Sequence, residues 1–377
     1  MKILEVVPHF PPFVGGVERT SYIVSKELAR RGHDVTVLCT DERPRTEIID
    51  GITVKRLGIG LSVAGAPVNF SVLKEIRNAD FDLLSTNIPT PWLAFCAALA
   101  KKNRPFVVMY HNDIIGKSLL SSAFAWLYNR TIGPYILSKA DKIIVHSPTY
   151  AESSPWLKHY ASKIEIIGAG VDAEKYRPEN ASDRRALEIR GKYGKPLIFL
   201  ATALGPYKQY KGVDVLLEAA KLMKGKEKFM IVITGEGPLK ETYRKAAEAA
   251  GLSDCVDFIG EVQADELPFY YAACDVFVFP SINNMEGFGL VAIEAMASGK
   301  PVVASRVGGI PFAVGSAGVL VEPKDPQALA EAILGLLRDP KRASELGNAG
   351  RKRVLELFQT TAVVDKREKL YESLLKA

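Results

Sequence analysis

Residues 280–305 read PSINNMEGFGLVAIEAMASGKPVVAS, and this stretch decides the fold. The apolar run Val276, Phe277, Val278, Phe279 stops at Pro280, and a polar loop through Ser281, Asn283 and Asn284 leads to Glu286, Gly287, Phe288 and Gly289. From Leu290 the spacing predicts a helix, with Ala292, Ala295 and Met296 as strong helix formers and Gly299 just past its end. Val302 and Val303 then open another buried strand. The result is a βαβ unit whose helix begins, behind two glycines, at the carboxyl end of a strand. Free backbone N–H groups and the helix dipole make such a place suit an anion.

Two glutamates bracket the helix start, Glu286 and Glu294. Eight residues of helix would separate them by roughly 12 Å. Paired glycosidase carboxylates sit about 5 to 9.5 Å apart, so this spacing suits two ends of one extended ligand better. The string Glu286, seven residues, Glu294, with GFG inside and ASGKPVVAS behind, closely resembles the donor-site signature of family 4 glycosyltransferases. The resemblance covers nearly the whole chain. It implies a GT-B fold: α/β, with two Rossmann-like doubly wound domains facing across a cleft and a C-terminal helix returning to the first. It also implies transfer of a sugar from a nucleoside diphosphate sugar, with UDP- and GDP-sugars foremost, to a hydroxyl of a glycan, lipid or small molecule, with retention at the anomeric carbon.

Length and composition agree with two domains. The chain has 377 residues, 47% hydrophobic and 24% charged, too long for one core and ordinary for a globular protein. A net charge of +6 fits anionic ligands or an anionic membrane surface without demanding nucleic acid. Cys39, Cys96, Cys255 and Cys274 are far apart and apolar in context, as expected of buried thiols in a reducing compartment. The start of the chain reads as a strand rather than a signal peptide, and the apolar run from Trp92 to Ala100 is about half a membrane span. A cytoplasmic enzyme is expected, with peripheral contact at the inner membrane face as a variant.

Strands alternate with helices throughout, which predicts parallel sheets. The first series is residues 2–7, HDVTVLC, TVKRL, DLLST, PFVVMY and KIIVH, with helices near 91–103, 117–139 and 148–161. The second is LIFLA, FMIVIT, VDFIG, DVFVF and PVVAS, with helices near 213–224, 238–250, 265–272, 290–298 and 326–338. The polar segment VDAEKYRPENASDRRALEIRGKYGK reads as the boundary. We expect an acceptor-binding domain at 1–174, a donor-binding domain at 175–355 and a C-terminal helix at 356–377.

The resemblance assigns further residues. Glu286 is expected to hold donor sugar hydroxyls and Glu294 the ribose, with the N–H groups of Gly287, Phe288, Gly289 and Leu290 facing the diphosphate. Gly15 and Gly16, at the first strand–helix junction, match the family's glycine-rich loop; Glu18 follows them. His111, in YHND, matches a histidine close to the transferred sugar, and Asp113 and His9 are acceptor-side candidates. Gly235, Glu236 and Gly237 in TGEGPLKE, with Ile259 and Val262 in FIGEV, fall where the family lines its sugar and base pockets. Lys211-Gly212 matches the family's Lys-Gly, but Gly205 and Pro206 stand where an arginine belongs. Lys208, between Tyr207 and Tyr210, is the nearest cation to replace it. Phe312 in VGGIPFAV is a second departure, where many members carry Glu.

Asp80 and Asp82 have the Asp-x-Asp spacing of metal-dependent glycosyltransferases, yet they sit at the start of a strand, away from the carboxyl ends where sites lie. No metal and no cofactor is therefore expected. The aromatic helix from Lys117 to Lys139 reads as sheet packing, with an acceptor or membrane contact as the other reading. A nucleotide-sugar 2-epimerase and a non-catalytic sugar-nucleotide-binding subunit are the rival functions. The glutamate pair with its GFG spacing speaks against the first, and the presence of Glu286, Lys211 and His111 against the second.

Overall fold

The computed structural model describes residues 1–12, 15–63, 66–114, 119–206 and 208–376. Val14 and Phe13 of the first loop, Lys117 and Tyr207 lie outside the described residues. The chain divides into two compact units, Met1–Gly170 with Thr360–Ala377, and Val171–Gln359. The break after the first series of strands thus falls at 170/171 rather than 174/175.

In the first unit the sheet runs, edge to edge, Ile164–Ile166, Lys142–Val145, Phe106–Tyr110, Leu83–Ile88, Lys2–Val6, Asp34–Asp41, Ile52–Gly58, Arg45–Ile49. All neighbours are parallel except the last pair. Successive residues serve opposite faces. Leu4, Val108 and Tyr110 enter one core, whereas Ile3, Val107 and Met109 enter another. Both faces are thus covered, as parallel sheets require. The helix Thr360–Lys376 belongs to this unit, and its Val363, Val364 and Tyr371 share a core with Ile3, Val24 and Leu28. Arg31 fastens it by ion pairs to Asp365 at 2.6 Å and Glu368 at 2.7 Å, beside His33 Nε2, 2.7 Å from Glu368.

The second unit carries six parallel strands in the order Val256–Gly260, Met230–Thr234, Leu197–Ala201, Val276–Phe279, Val302–Ser305, Val319–Val321. Counted along this unit, the order is 3-2-1-4-5-6. The winding reverses between Leu197–Ala201 and Val276–Phe279, so the helices that follow these two strands pack on opposite faces and leave a crevice at the strands' carboxyl ends.

Four expectations are corrected. The helix near 117–139 is two, Leu119–Arg130 and Ile132–Lys139, because Pro134 cannot pack against the carbonyl of Arg130 in a continuous helix. The helix near 148–161 ends at Ser153 before Pro155 and resumes as a 3-10 turn at Leu157–Lys163. The boundary segment contains the helix Arg184–Tyr193, with the Asp183 side chain accepting from Arg185 N and Gly194 closing it in the left-handed region. Arg45–Ile49 and the helix Ser71–Asn78 add to the expected series.

Phe312 has a packing role. Its ring lies 5.8 Å from Phe358 and 6.4 Å from Phe288, Phe288 and Phe358 meet edge-on at 5.3 Å, and the Arg353 guanidinium covers Phe312 and Phe358. This cluster backs the turn that precedes Leu290–Ala297. Phe358 is 1% exposed, so Phe358→Ala is expected to cost about 3–5 kcal/mol, the range for truncating a buried aromatic. Urea unfolding checks this through the shift in midpoint at unchanged slope.

Candidate active site

The second unit builds its site where the strand order reverses. The loop after Leu197–Ala201 ends in a 3-10 turn, Gln209–Lys211, and then Gly212, the N-cap of the helix Val213–Met223. Gly212 has φ 71°, and a Cβ there would fall 1.9 Å from the Pro280 carbonyl oxygen. Only glycine lets the two loops approach so closely. Ile282 N donates to Tyr210 O at 2.8 Å and seals the contact.

The approach brings Lys211 Nζ to Glu286 Oε2 at 2.6 Å, with both side chains largely buried, at 15% and 13% exposed. The Ser281 hydroxyl donates to the same oxygen at 3.4 Å. Burial works against the Lys211 charge, but the Glu286 carboxylate outweighs it and raises the lysine's pKa above its usual value. Lys211 Nζ also sits 5.1 Å from the Tyr210 ring centre and 5.4 Å from that of Phe279. Lys208 is exposed, with its ammonium 5.6 Å from the centre of the same Tyr210 ring. The two lysines therefore flank one aromatic ring.

Glu286 is held from beneath by the turn after Val302–Ser305. Gly309 N donates to Glu286 O at 3.1 Å, and Gly308 N donates to Asn284 Oδ1 at 3.0 Å. The helix Leu290–Ala297 follows Gly289, with Phe288 buried behind it and Gly287 and Leu290 partly exposed. Glu294, on that helix, is 2% exposed and accepts from the Tyr271 hydroxyl at 2.7 Å. The turn 235–237 braces the lysine loop, since Leu204 N donates to Glu236 O at 3.0 Å; Glu236 is exposed and paired with Lys240. Ile259 and Val262 are partly buried near Gly260, whose carbonyl accepts from Gly235 N at 2.7 Å.

In the first unit, His111 follows the strand Phe106–Tyr110, and its Nδ1 lies 3.2 Å from His146 Nε2. Among the described residues, His111 Nε2 is shielded from solvent and has no hydrogen-bond partner. Burial, then His146, then Arg367 push the His111 pKa well below the usual histidine value; burial and Arg367 take His146 down to about 4. Asp113 Oδ1 accepts from the Tyr110 hydroxyl at 2.6 Å and the Ser154 hydroxyl at 2.7 Å, so this carboxylate braces the histidine's loop. His9 is partly buried in the loop after Lys2–Val6. Gly15 caps the helix Gly16–Arg30 in an ordinary extended conformation. Beneath the His111 loop an apolar cavity of about 210 Å³ is lined by Tyr110, Ile114, Tyr128, Leu137, Trp156 and Tyr160, among others.

Asp80 is an exposed partner of Lys2 at 2.5 Å, and Asp82 Oδ2 accepts from Lys2 N at 2.7 Å. Among the described residues no three His, Cys, Asp or Glu side chains converge as a metal site would need, and no helix is long and apolar enough to cross a membrane.

Comparison with known proteins identifies the family and the fold. Residues 184–353 match the model described as glycosyl transferases group 1, and residues 14–175 match glycosyltransferase family 4. The chain is 31% identical over 352 residues to the D-rhamnosyltransferase WbpZ of Pseudomonas aeruginosa, covering 92% of this chain and 88% of that one. The chain belongs to glycosyltransferase family 4. Its fold is GT-B, and it is a glycosyltransferase. Another relative, the GDP-mannose-dependent alpha-(1-6)-phosphatidylinositol monomannoside mannosyltransferase of Mycobacterium tuberculosis, is 30% identical over 372 residues, 93% of each chain. Sucrose-phosphate synthase from Thermosynechococcus elongatus superposes with TM-score 0.81 at 24% identity over the whole of both chains. Anabaena HepE, solved with UDP and glucose, superposes with TM-score 0.77 at 22% identity over 99% of this chain and 100% of that one.

Against that family pattern, the structure joins Glu286 to Lys211, leaves Lys208 exposed and has the Oε2 atom of Glu294 accept from the Tyr271 hydroxyl. Sequence reasoning missed Ser281, Gly308, Gly309, Tyr271 and His146. The glycine pair was visible in VGGIPFAV, and His146 stood at the end of KIIVH as His111 stands at the end of its own strand. Gly308 has φ 54°, and a Cβ there would fall 2.0 Å from the Glu286 carbonyl oxygen. Gly308→Ala is expected to displace the Glu286 loop and lower kcat roughly 100-fold, the cost of an ångström-scale misplacement. Steady-state kinetics with unchanged circular dichroism checks this.

Proposed function

We propose that this family 4 enzyme transfers mannose, with retention of configuration, from GDP-mannose to a hydroxyl of a lipid-linked glycan. The GDP-mannose dependence in the name of the mycobacterial relative and the O-antigen chain mannosyltransferase C of Escherichia coli, 28% identical over all of both chains, support the donor and the acceptor class. The apolar cavity beneath the His111 loop supports an acceptor with an apolar part. Exposed Trp126 and Leu127, beside Arg130 stacked on Trp126, support peripheral contact with an anionic membrane.

The observation that carries the reading is the Lys211–Glu286 pair at the strand-order reversal. In the proposed reaction the bond between the anomeric carbon and the diphosphate oxygen breaks, and the acceptor oxygen bonds to that carbon on the same face. The acceptor's proton passes to the departing diphosphate. Lys211, Lys208 and the N–H groups at Gly287 to Leu290 oppose the charge that gathers on the leaving group, so no metal ion is required. Glu286 binds hydroxyls of the transferred sugar and Glu294 the ribose. His111 faces the sugar, His9 lies on the acceptor side, and Gly15-Gly16 offer backbone N–H groups to the donor phosphates.

The test is transfer from radiolabelled GDP-mannose to a lipid-linked acceptor in excess EDTA, with the product linkage read by NMR. The wild type is expected to remain active and to form an α-linkage, and Glu286→Ala to lose roughly 100-fold or more in turnover with its fold intact. Loss of activity in EDTA restored by Mn²⁺ refutes the metal-free mechanism. A β-linked product refutes retention, and a fully active Glu286→Ala refutes the site.

A further inference from the structure

The two histidines of the first unit stand on neighbouring parallel strands, where Tyr110 pairs with Val145, so His111 and His146 are the next residues out along the ladder. Their rings are 5.0 Å apart between centres and tilted by 48°. His146 Nδ1 lies 3.0 Å from the Ile167 carbonyl oxygen. A carbonyl only accepts, so His146 carries its proton on Nδ1. In the neutral ring Nε2 then holds a lone pair, and the atom 3.2 Å away is His111 Nδ1. That nitrogen must donate. The proton of a neutral His111 is thereby used up, and its Nε2, shielded and without a hydrogen-bond partner among the described residues, is left as an acceptor.

We propose that His146 is the positioning residue of His111, holding it as the Nδ1–H tautomer so that Nε2 can accept a hydrogen bond from a substrate hydroxyl but cannot donate one. The functional half of this inference rests on the placement of His111 at the sugar. The neutral state it needs has a physical basis. His146 is buried and His111 partly so, and Arg367, on the helix Thr360–Lys376 and 2% exposed, opposes a positive charge on either. Arg367 itself acts on Glu5 of the first strand, whose Oε2 accepts from the Ser25 hydroxyl at 2.6 Å. Were His146 to gain a second proton, its Nε2–H would donate to His111 Nδ1 and turn His111 Nε2 into the donor. The arrangement therefore fails on acidification through the His146 pKa of about 4, not near neutrality.

The experiment is long-range nitrogen–proton NMR on the full chain with ¹⁵N-histidine at pH 7, the His111 signals being assigned by their loss in His111→Gln. The wild type is expected to show His111 protonated on Nδ1. His146→Leu should redistribute that proton towards Nε2 and lower kcat/KM roughly 10- to 100-fold, as for other groups that orient a functional histidine. His146→Gln, which keeps an acceptor facing His111 Nδ1, should retain the tautomer and most of the activity. A wild-type His111 protonated on Nε2, or a tautomer unchanged in His146→Leu, overturns the proposal, as does a redistributed tautomer with unchanged kcat/KM. Wild-type activity in His111→Gln, by contrast, refutes the placement of His111 at the sugar and leaves the tautomer result standing.

Discussion

The second unit depends on one contact, the ion pair between Lys211 and Glu286. Removing an ammonium and a carboxylate from water is costly unless each satisfies the other, and breaking such a pair by deleting one partner leaves a charge uncompensated. The pair can form only because Gly212 lets two loops touch, one leaving Leu197–Ala201 and the other Val276–Phe279. Those loops meet because the two strands are parallel neighbours in the sheet. Topology, a glycine and a charge pair thus form a single chain of cause. In the proposed reaction, a donor entering the crevice meets a lysine already charged and a carboxylate already oriented, which limits the reorganisation that binding and reaction demand.

The first unit solves a different problem. Its interior carries Glu5, His146 and Arg367, with His111 partly buried beside them, beneath a sheet covered on both faces. Buried polar groups are tolerated when hydrogen-bonded; the Ser25 hydroxyl supplies this for Glu5 and the Ile167 carbonyl for His146. The last helix completes the arrangement, since it brings both apolar side chains and Arg367 to the same core. Its attachment through Arg31 is charged at the rim and apolar at the centre, so position along the helix is fixed by both.

Much of this was legible in the sequence because the decisive signals are local. The Val276–Phe279 run, the glycines around Glu286 and the helix formers from Leu290 specify strand, loop and helix without help from distant residues. Arg184–Tyr193 was missed because only Ala186 of that helix is buried, which leaves no apolar stripe to read; its Asp183 cap and Gly194 stop were nonetheless present. Arg45–Ile49 was missed because an antiparallel edge strand with Ile48 77% exposed carries no core-facing pattern. Residues that act across the fold were hidden for another reason. His146, Tyr271 and Gly308 matter through partners 35, 23 and 24 residues away, a distance only folding reveals. Phe312 looked like a lapse from the family pattern until its stacking on Phe288 and Phe358 supplied the reason.

Whether Lys211 and Glu286 act as one unit is measured most directly by a double-mutant cycle on kcat/KM for GDP-mannose, using Lys211→Met, Glu286→Gln and the combined variant. Coupled residues give strongly non-additive losses. The expected result is a double variant little worse than the worse single variant. Losses that simply multiply would mean that the two side chains act independently, and the ion pair would then be incidental to catalysis.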